Sequence, residues 1–355
     1  MFSDGDGDSR DVDLDSVAPA VLSGTNGPNA SAAELSGGLA GRLFRYRTEP
    51  SSLQAFESPV HHAHTRFCLY VGGLTDGLLA CPYVESLSEE CDRKGWALVQ
   101  PLISSSYAGY GCSSLVTDIS ELTTCVDFLM QKRGAKAFVL IGHSTGCQDA
   151  VLLLATAPAS VRARIRGVVL QAPVSDREAA SLEDGAEARA KLLAEAERLV
   201  AAGEGKSLMP ELHCGFVPIT AERFSSLVGR GGADDLFSSD FSDAELAARL
   251  AHLSTAGQRE ARGELASEPV PEHPGLKVLF VHSVGDEYVP ENVDVPALAR
   301  RFVAAAGAPD AGSLLIETAN HNLSKGPDSA DTFVSAVGTF LSGVMDGPLV
   351  VDADF

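Results

Sequence analysis

The stretch Ala137-Phe138-Val139-Leu140-Ile141-Gly142-His143-Ser144-Thr145-Gly146-Cys147 decides how the rest of the chain is read. Ala137 to Ile141 are apolar without a break, as expected of a strand covered on both faces. Gly142-His143-Ser144-Thr145-Gly146 then fits Gly-x-Ser-x-Gly, and the run Cys147–Thr156 reads as a helix. The two glycines permit a tight strand-to-helix turn that holds a serine hydroxyl in a strained, exposed position. Alone the pentad is a weak signal. Chance supplies about 0.3 matches in a chain of this length and glycine content. The flanking strand and helix are what give it weight.

Outward from this point the same alternation recurs. Phe67–Gly72, Trp96–Pro101, Gly167–Ala172, Leu276–His282 and Ser313–Thr318 are further apolar runs of strand length. Arg42–Thr48 and Leu53–Ser58 read as a strand pair ahead of them. Leu115, Ile119, Leu122, Val126 and Leu129 step by four and three, the apolar stripe of an amphipathic helix. Strands alternating with helices predict an α/β fold: a mostly parallel sheet flanked by helices, joined by right-handed crossovers. Between about Val174 and Gly275 the alternation stops, and the gap is too long for an ordinary connection. Ser175-x-x-Glu178 and Ser242-x-x-Glu245 have capping-box spacing there, and Leu192, Leu193, Ala196 and Leu199 share one helical face. The predicted organisation is a core of residues 41–173 and 276–347 with an inserted helical cap over 174–275.

The chain has 355 residues and a formal net charge of −21, with 45% hydrophobic and 21% charged residues. A globular core is easily filled at this size. The acidity argues against nucleic acid or an anionic membrane surface as partner, since both recruit Lys and Arg. Residues 1–40 hold seven acids against one base and read as a solvated, disordered leader that takes up six of those charges. Their Asp4-x-Asp6-x-Asp8 start lacks the glycine and glutamate of a calcium loop, with Ser9 and Asp15 in those places. Seven cysteines without a Cys-x-x-Cys pair exclude a fully paired disulfide framework and disfavour a zinc knuckle. With no basic-apolar N-terminal signal and no apolar run of membrane-spanning length, a cytoplasmic setting is expected.

A serine nucleophile needs a base, and the base needs an acid to orient it. In a strand–elbow–helix site the acid and then the base follow the serine along the chain. Gly285-Asp286-Glu287-Tyr288-Val289-Pro290 comes just past one predicted strand, and Ala319-Asn320-His321-Asn322 just past the next. Both lie at the carboxyl edge of a parallel sheet, where ligands bind. The expected triad is therefore Ser144 as nucleophile, His321 as general base and then acid, and Asp286 as the orienting carboxylate. Glu287 and Asp294 are reserves for the acid. His282, inside its strand, is expected in the core, and His143 is expected to shape the turn.

Stabilising a tetrahedral oxyanion takes two N–H donors. Thr145, following the nucleophile, supplies one; the loop Gly72-Gly73-Leu74-Thr75-Asp76-Gly77 supplies the other, through Leu74 first and Gly73 second. Thr75, and Tyr107 and Tyr110 of the segment Ser104–Gly111, are expected to line the substrate pocket with Gly73. This chemistry needs no metal and no organic cofactor. Gly203-Glu204-Gly205-Lys206-Ser207 has Val200 where a phosphate loop needs its first glycine, and no strand before it. His61-His62-Ala63-His64 carries ligand-type side chains, but no Cys or acid stands close in sequence, so a solvated connector is expected.

The residues also resemble a known family. Gly142-His143-Ser144-Thr145-Gly146-Cys147-Gln148-Asp149 extends beyond the generic elbow. With Ser104-Ser105-Ser106-Tyr107, Gly285–Pro290, Val217-Pro218-Ile219-Thr220-Ala221-Glu222-Arg223-Phe224 and Asp240–Leu246, it looks like the fungal and plant α/β-hydrolase group that includes siderophore esterases. The resemblance spans about residues 40–345; the acidic leader and Ala-rich cap depart from it. It implies an α/β-hydrolase fold and a serine esterase acting on ester bonds of hydroxamate siderophores of the fusarinine type. The triad it implies is Ser144, Asp286 and His321. The expected activity is cleavage of a small-molecule carboxylic ester through an acyl-enzyme. The alternatives are a thioesterase or amidase on the same triad, or a non-catalytic receptor or scaffold of this fold.

Overall fold

The computed structural model describes residues 38–183, 185–254, 276–307 and 311–345. The acidic leader, its Asp4 loop and the end of the predicted cap, 255–275, lie outside the described residues. Eight strands form one sheet in the order β1-β2-β4-β3-β5-β6-β7-β8. They are β1 (Arg42–Arg47), β2 (Leu53–Ser58), β3 (Arg66–Val71), β4 (Ala97–Pro101), β5 (Ala137–His143), β6 (Ile165–Gln171), β7 (Lys277–Ser283) and β8 (Ala311–Ile316). β1–β2 and β2–β4 pair antiparallel; every other neighbouring pair is parallel. The helices are α1 (Val84–Arg93), α2 (Leu115–Arg133), α3 (Gly146–Thr156), α4 (Ala159–Arg162), α5 (Asp176–Glu183), α6 (Ala186–Ala201), α7 (Ala221–Val228), α8 (Asp243–Leu250), α9 (Val295–Ala306) and α10 (Ser329–Met345).

The unbroken apolar runs have a simple cause: the central strands bury both faces. Phe67, Leu69, Val71, Phe138 and Leu140 enter a core with α2, α3, α8 and α9. Their neighbours Cys68, Tyr70, Val139 and Ile141 enter a second core with α1 and α10. Strand period two thus places alternate side chains in two separate layers. The predicted stripe Leu115–Leu129 is buried along α2, and Gly134 in the left-handed region ends that helix.

Among the described residues between β6 and β7, 172–254, the α-helices are α5 to α8, and their parts pack differently. Ala196, Leu199, Met209, Val217, Ile219, Phe224, Leu227 and Val228, with Tyr110, form a third apolar cluster of their own. Leu236, Phe237, Phe241, Leu246, Leu250 and Leu253 instead return to the main core. The hinge between them is the Arg223 guanidinium, donating to both Asp234 oxygens at 2.7 and 2.8 Å with both side chains buried. Ser242 and Glu245 make the full capping box at the start of α8. Ser175 caps Glu178 N–H, but the Glu178 carboxylate turns to Ser239. No helix among the described residues is long and apolar enough to cross a membrane.

Candidate active site

The turn after β5 is as tight as the glycines suggest. A Cβ on Gly146 would stand 2.1 Å from the Val71 carbonyl oxygen, and one on Gly142 2.5 Å from that of Gly146. Between them Ser144 has φ +53°, a left-handed backbone that costs a serine about 1–3 kcal/mol. Its N–H donates to Gln171 O at 3.0 Å, and its carbonyl accepts from Cys147 N–H at 2.8 Å. The strained residue is therefore pinned on both sides.

Asp286 and His321 follow β7 and β8 at the same edge, and both are buried. His321 Nδ1 lies 2.8 Å and 3.0 Å from the two Asp286 oxygens, so Nδ1 is the donor to the carboxylate and Nε2 is the ring nitrogen left for the substrate side. Asp286 is further fixed by the Tyr288 N–H at 3.0 Å. The His321 ring lies between Tyr288, edge-on at 4.6 Å between centroids, and His143 at 4.9 Å. The reserve acids are otherwise engaged. Glu287 accepts the His321 backbone N–H at 2.9 Å; burial raises its carboxyl, but that bond, its own backbone N–H, the Asn320 amide and the His321 charge together lower it. Asp294 caps α9 by accepting Ala297 N–H at 2.8 Å. His282 is buried in β7, and desolvation pushes its imidazole down to about 4.

The loop after β3 approaches the nucleophile. A Cβ on Gly73 would fall 2.6 Å from Ser144 Cβ and 3.1 Å from its Oγ. Gly73 N–H is committed to Asp76 Oδ2 at 2.7 Å. Leu74 N–H and Thr145 N–H donate to no protein acceptor among the described residues; Leu74 lines the cavity beside Ser144, whereas the buried Thr145 borders a smaller neighbouring pocket. Thr75 has φ +67°, a costly conformation for a β-branched residue. Gly73, Leu74, Thr75, Ser144, Tyr288 and His321 line a cavity of about 330 Å³, closed from the other side by Asp176, His213, Cys214 and Phe216.

The tyrosine expectation is corrected. Neither Tyr107 nor Tyr110 lines this cavity. Tyr110 is fully buried, its hydroxyl 2.8 Å from His213 Nδ1; it packs into the helical cluster and borders a smaller neighbouring pocket shared with Gly73, Leu74 and Thr145. Tyr107 lies over Gly77, where a Cβ would meet its ring at 2.0 Å, and is half exposed. The neighbouring serines are also structural. Ser104 and Ser105 donate to the Glu121 and Asp118 carboxylates of α2.

Two features escape sequence reasoning. The buried Gln171 amide donates to His321 O at 2.9 Å and accepts from Tyr83 OH at 2.9 Å and His143 Nδ1 at 2.5 Å. A lone amide ending the apolar run of β6 was the available signal. Asp176 accepts from Gln148 at 2.8 Å, and burial pushes its carboxyl up to about 7 at the cavity wall. Beside them, Asp76, Cys81 and His143 bring one donor atom each within 4.8 Å of one another. Burial pulls the His143 imidazole down, but Cys81, Asp76 and Gln171 outweigh it and push it up to about 9.

An eight-stranded, mostly parallel sheet with a strained Gly-x-Ser-x-Gly turn at its carboxyl edge defines an α/β-hydrolase. The family model described as "Protein of unknown function (DUF1749)" matches residues 33–342, and the chain belongs to that family. It is 36% identical over 275 residues to the UPF0613 protein PB24D3.06c of Schizosaccharomyces pombe, covering 74% of this chain and 81% of the relative. It is 30% identical over 339 residues to the fusarinine C esterase sidJ of Aspergillus fumigatus, covering 81% and 91%. Among solved structures, the siderophore hydrolase EstB from Aspergillus fumigatus superposes with a TM-score of 0.70 at 27% identity, covering 88% of this chain and 99% of that one.

Proposed function

We propose that the chain is a serine hydrolase that cleaves a small-molecule carboxylic ester, of the siderophore type, through an acyl-enzyme. The observation that carries this reading is the His321 imidazole, held by both Asp286 oxygens on the same cavity as a Ser144 in the left-handed region. His321 Nε2 takes the Ser144 proton as Oγ attacks the ester carbonyl, and Asp286 stabilises the resulting imidazolium. Leu74 and Thr145 N–H receive the oxyanion. His321 then protonates the departing alkoxide, and a water deprotonated by the same imidazole releases the acid. The name of one relative, fusarinine C esterase, supports an ester over a thioester or amide. The part of the insertion built around α6 and α7 serves as a cap, and Asp176, His213 and Phe216 of the insertion line the cavity that takes the ester. Seven free thiols suit a reducing cytoplasm.

A fluorophosphonate probe, with hydrolysis of short acyl esters, tests the reading. Wild-type protein is expected to label and turn over, and Ser144→Ala to do neither. Labelling that persists in Ser144→Ala, or none in the folded wild type, sinks it.

A further inference from the structure

The connector between β2 and β3 holds a second constellation, away from the triad. His61 Nε2, His62 Nδ1 and His64 Nε2 converge on one carboxylate, Asp92 of α1, at 3.2, 2.8 and 2.7 Å. The acid that the sequence did not offer nearby arrives from 28 residues downstream of His64. We propose that His61, His62 and Asp92 form a binding site for a divalent transition metal, zinc by its donor set, with water completing its coordination and His64 holding the Asp92 carboxylate, that ties this connector to α1.

Three observations carry the proposal. The first is distance. Donors on a tetrahedral zinc at about 2.0–2.1 Å are spaced about 3.3 Å apart. The nitrogen-to-oxygen separations here are close to that edge length, and the His61, His62 and Asp92 donor atoms all lie within 4.8 Å of one another. The second is the use of different ring nitrogens. His61 points Nε2 and its neighbour His62 points Nδ1 at the same place, which is how adjacent histidines reach a common centre. The third is cost. The His61 and His62 side chains are 63% and 60% exposed, and solvent-facing pairs with a carboxylate yield little against the rotamer freedom they lose. A metal supplies the missing attraction, and two imidazoles with one carboxylate suit zinc over magnesium or calcium. His64 and Asp92 are mostly covered while His61 and His62 face solvent, so an ion has a path in.

The site lies just ahead of Arg66, where β3 begins, whereas the triad follows the carboxyl ends of its strands. Its role is therefore structural. The full chain, stripped with chelator and dialysed, should bind one zinc per chain by calorimetry and gain several degrees in melting temperature. Cobalt should give the intense visible bands of a four-coordinate ion. His62→Ala and Asp92→Asn should each weaken binding at least tenfold, and together abolish the cobalt bands. Ser144 labelling, unaltered in each variant, shows that it folds. Binding weaker than about 10 µM, outside the range of a structural zinc site, overturns the proposal. So does tight binding that survives the double substitution, which would place the ion elsewhere.

Discussion

Gly73→Ala is the most direct probe of the proposed oxyanion arrangement, because its proposed donors are main-chain groups that no side-chain deletion removes. The added Cβ would sit 2.6 Å from Ser144 Cβ and 3.3 Å from His143 O. Carbon atoms rest about 3.5–4.0 Å apart, so one partner must retreat by about 1 Å. Ser144 cannot, since its N–H is bound to Gln171 O and Gly146 is packed against Val71 O. The loop retreats instead. It moves as a unit, because Gly73 N–H is held by Asp76 Oδ2 and Asp76 N–H donates back to Gly73 O at 3.2 Å. Leu74 N–H travels with it, out of reach of the forming oxyanion. Loss of one such donor lowers kcat about 10²–10³-fold, or about 2.7–4 kcal/mol. The assay is steady-state hydrolysis of a nitrophenyl ester beside a thermal melt. Gly312→Ala, with nothing within 4 Å of its Cβ, is the control. The expected result is a lower kcat, a KM changed by a few-fold at most, and a nearly unaltered melt. A Gly73→Ala protein within about threefold of wild-type kcat would refute the assignment of this loop as the oxyanion hole.

Other consequences follow from buried charge. Asp234→Ala leaves the Arg223 guanidinium buried beside an empty partner position and should destabilise the fold by about 3–5 kcal/mol, read from urea denaturation. A loss below about 1 kcal/mol would show that solvent reaches Arg223. His143, raised from 6.5 to about 9, stabilises the fold fully below pH 6.5, and that contribution disappears as pH rises through about 9. It amounts to at most about 3 kcal/mol at one pKa unit per 1.36 kcal/mol. His143→Gln should therefore flatten the alkaline fall in melting temperature, and an unchanged slope would remove His143 as its source. His282, depressed to about 4, acts in the opposite sense, its contribution present above 6.5 and lost as pH falls through about 4. His282→Phe should flatten the acid limb alone.

What the sequence made legible was whatever depends on local pattern and chain order. The strands were readable because both faces of each central strand are buried, so Ala137–Ile141 is apolar throughout rather than alternating. Ser144, Asp286 and His321 were readable because each follows a parallel strand at its carboxyl end, and that edge is common to all three. The insertion was visible only as a loss of alternation. Its inner division was not, because the stretch from Leu236 to Leu253 has the same helical periodicity whether it packs on the cap or on the core.

What sequence reading left out has one physical origin. A side chain's role in a loop depends on which distant group it meets, and that group leaves no mark nearby. Tyr110 reads as a pocket tyrosine until His213, from 103 residues further on, accepts or donates at its hydroxyl and the cap cluster closes over the ring. Ser104 and Ser105 look like loop serines in the sequence, and two carboxylates of α2 accept their hydroxyls in the structure. His61, His62 and His64 read as a connector until Asp92 comes round on α1. In each case the residue types were visible and the partner was not. An unbalanced polar cluster in a loop therefore predicts a distant complementary group, and the helix packed against that loop is the place to look for it.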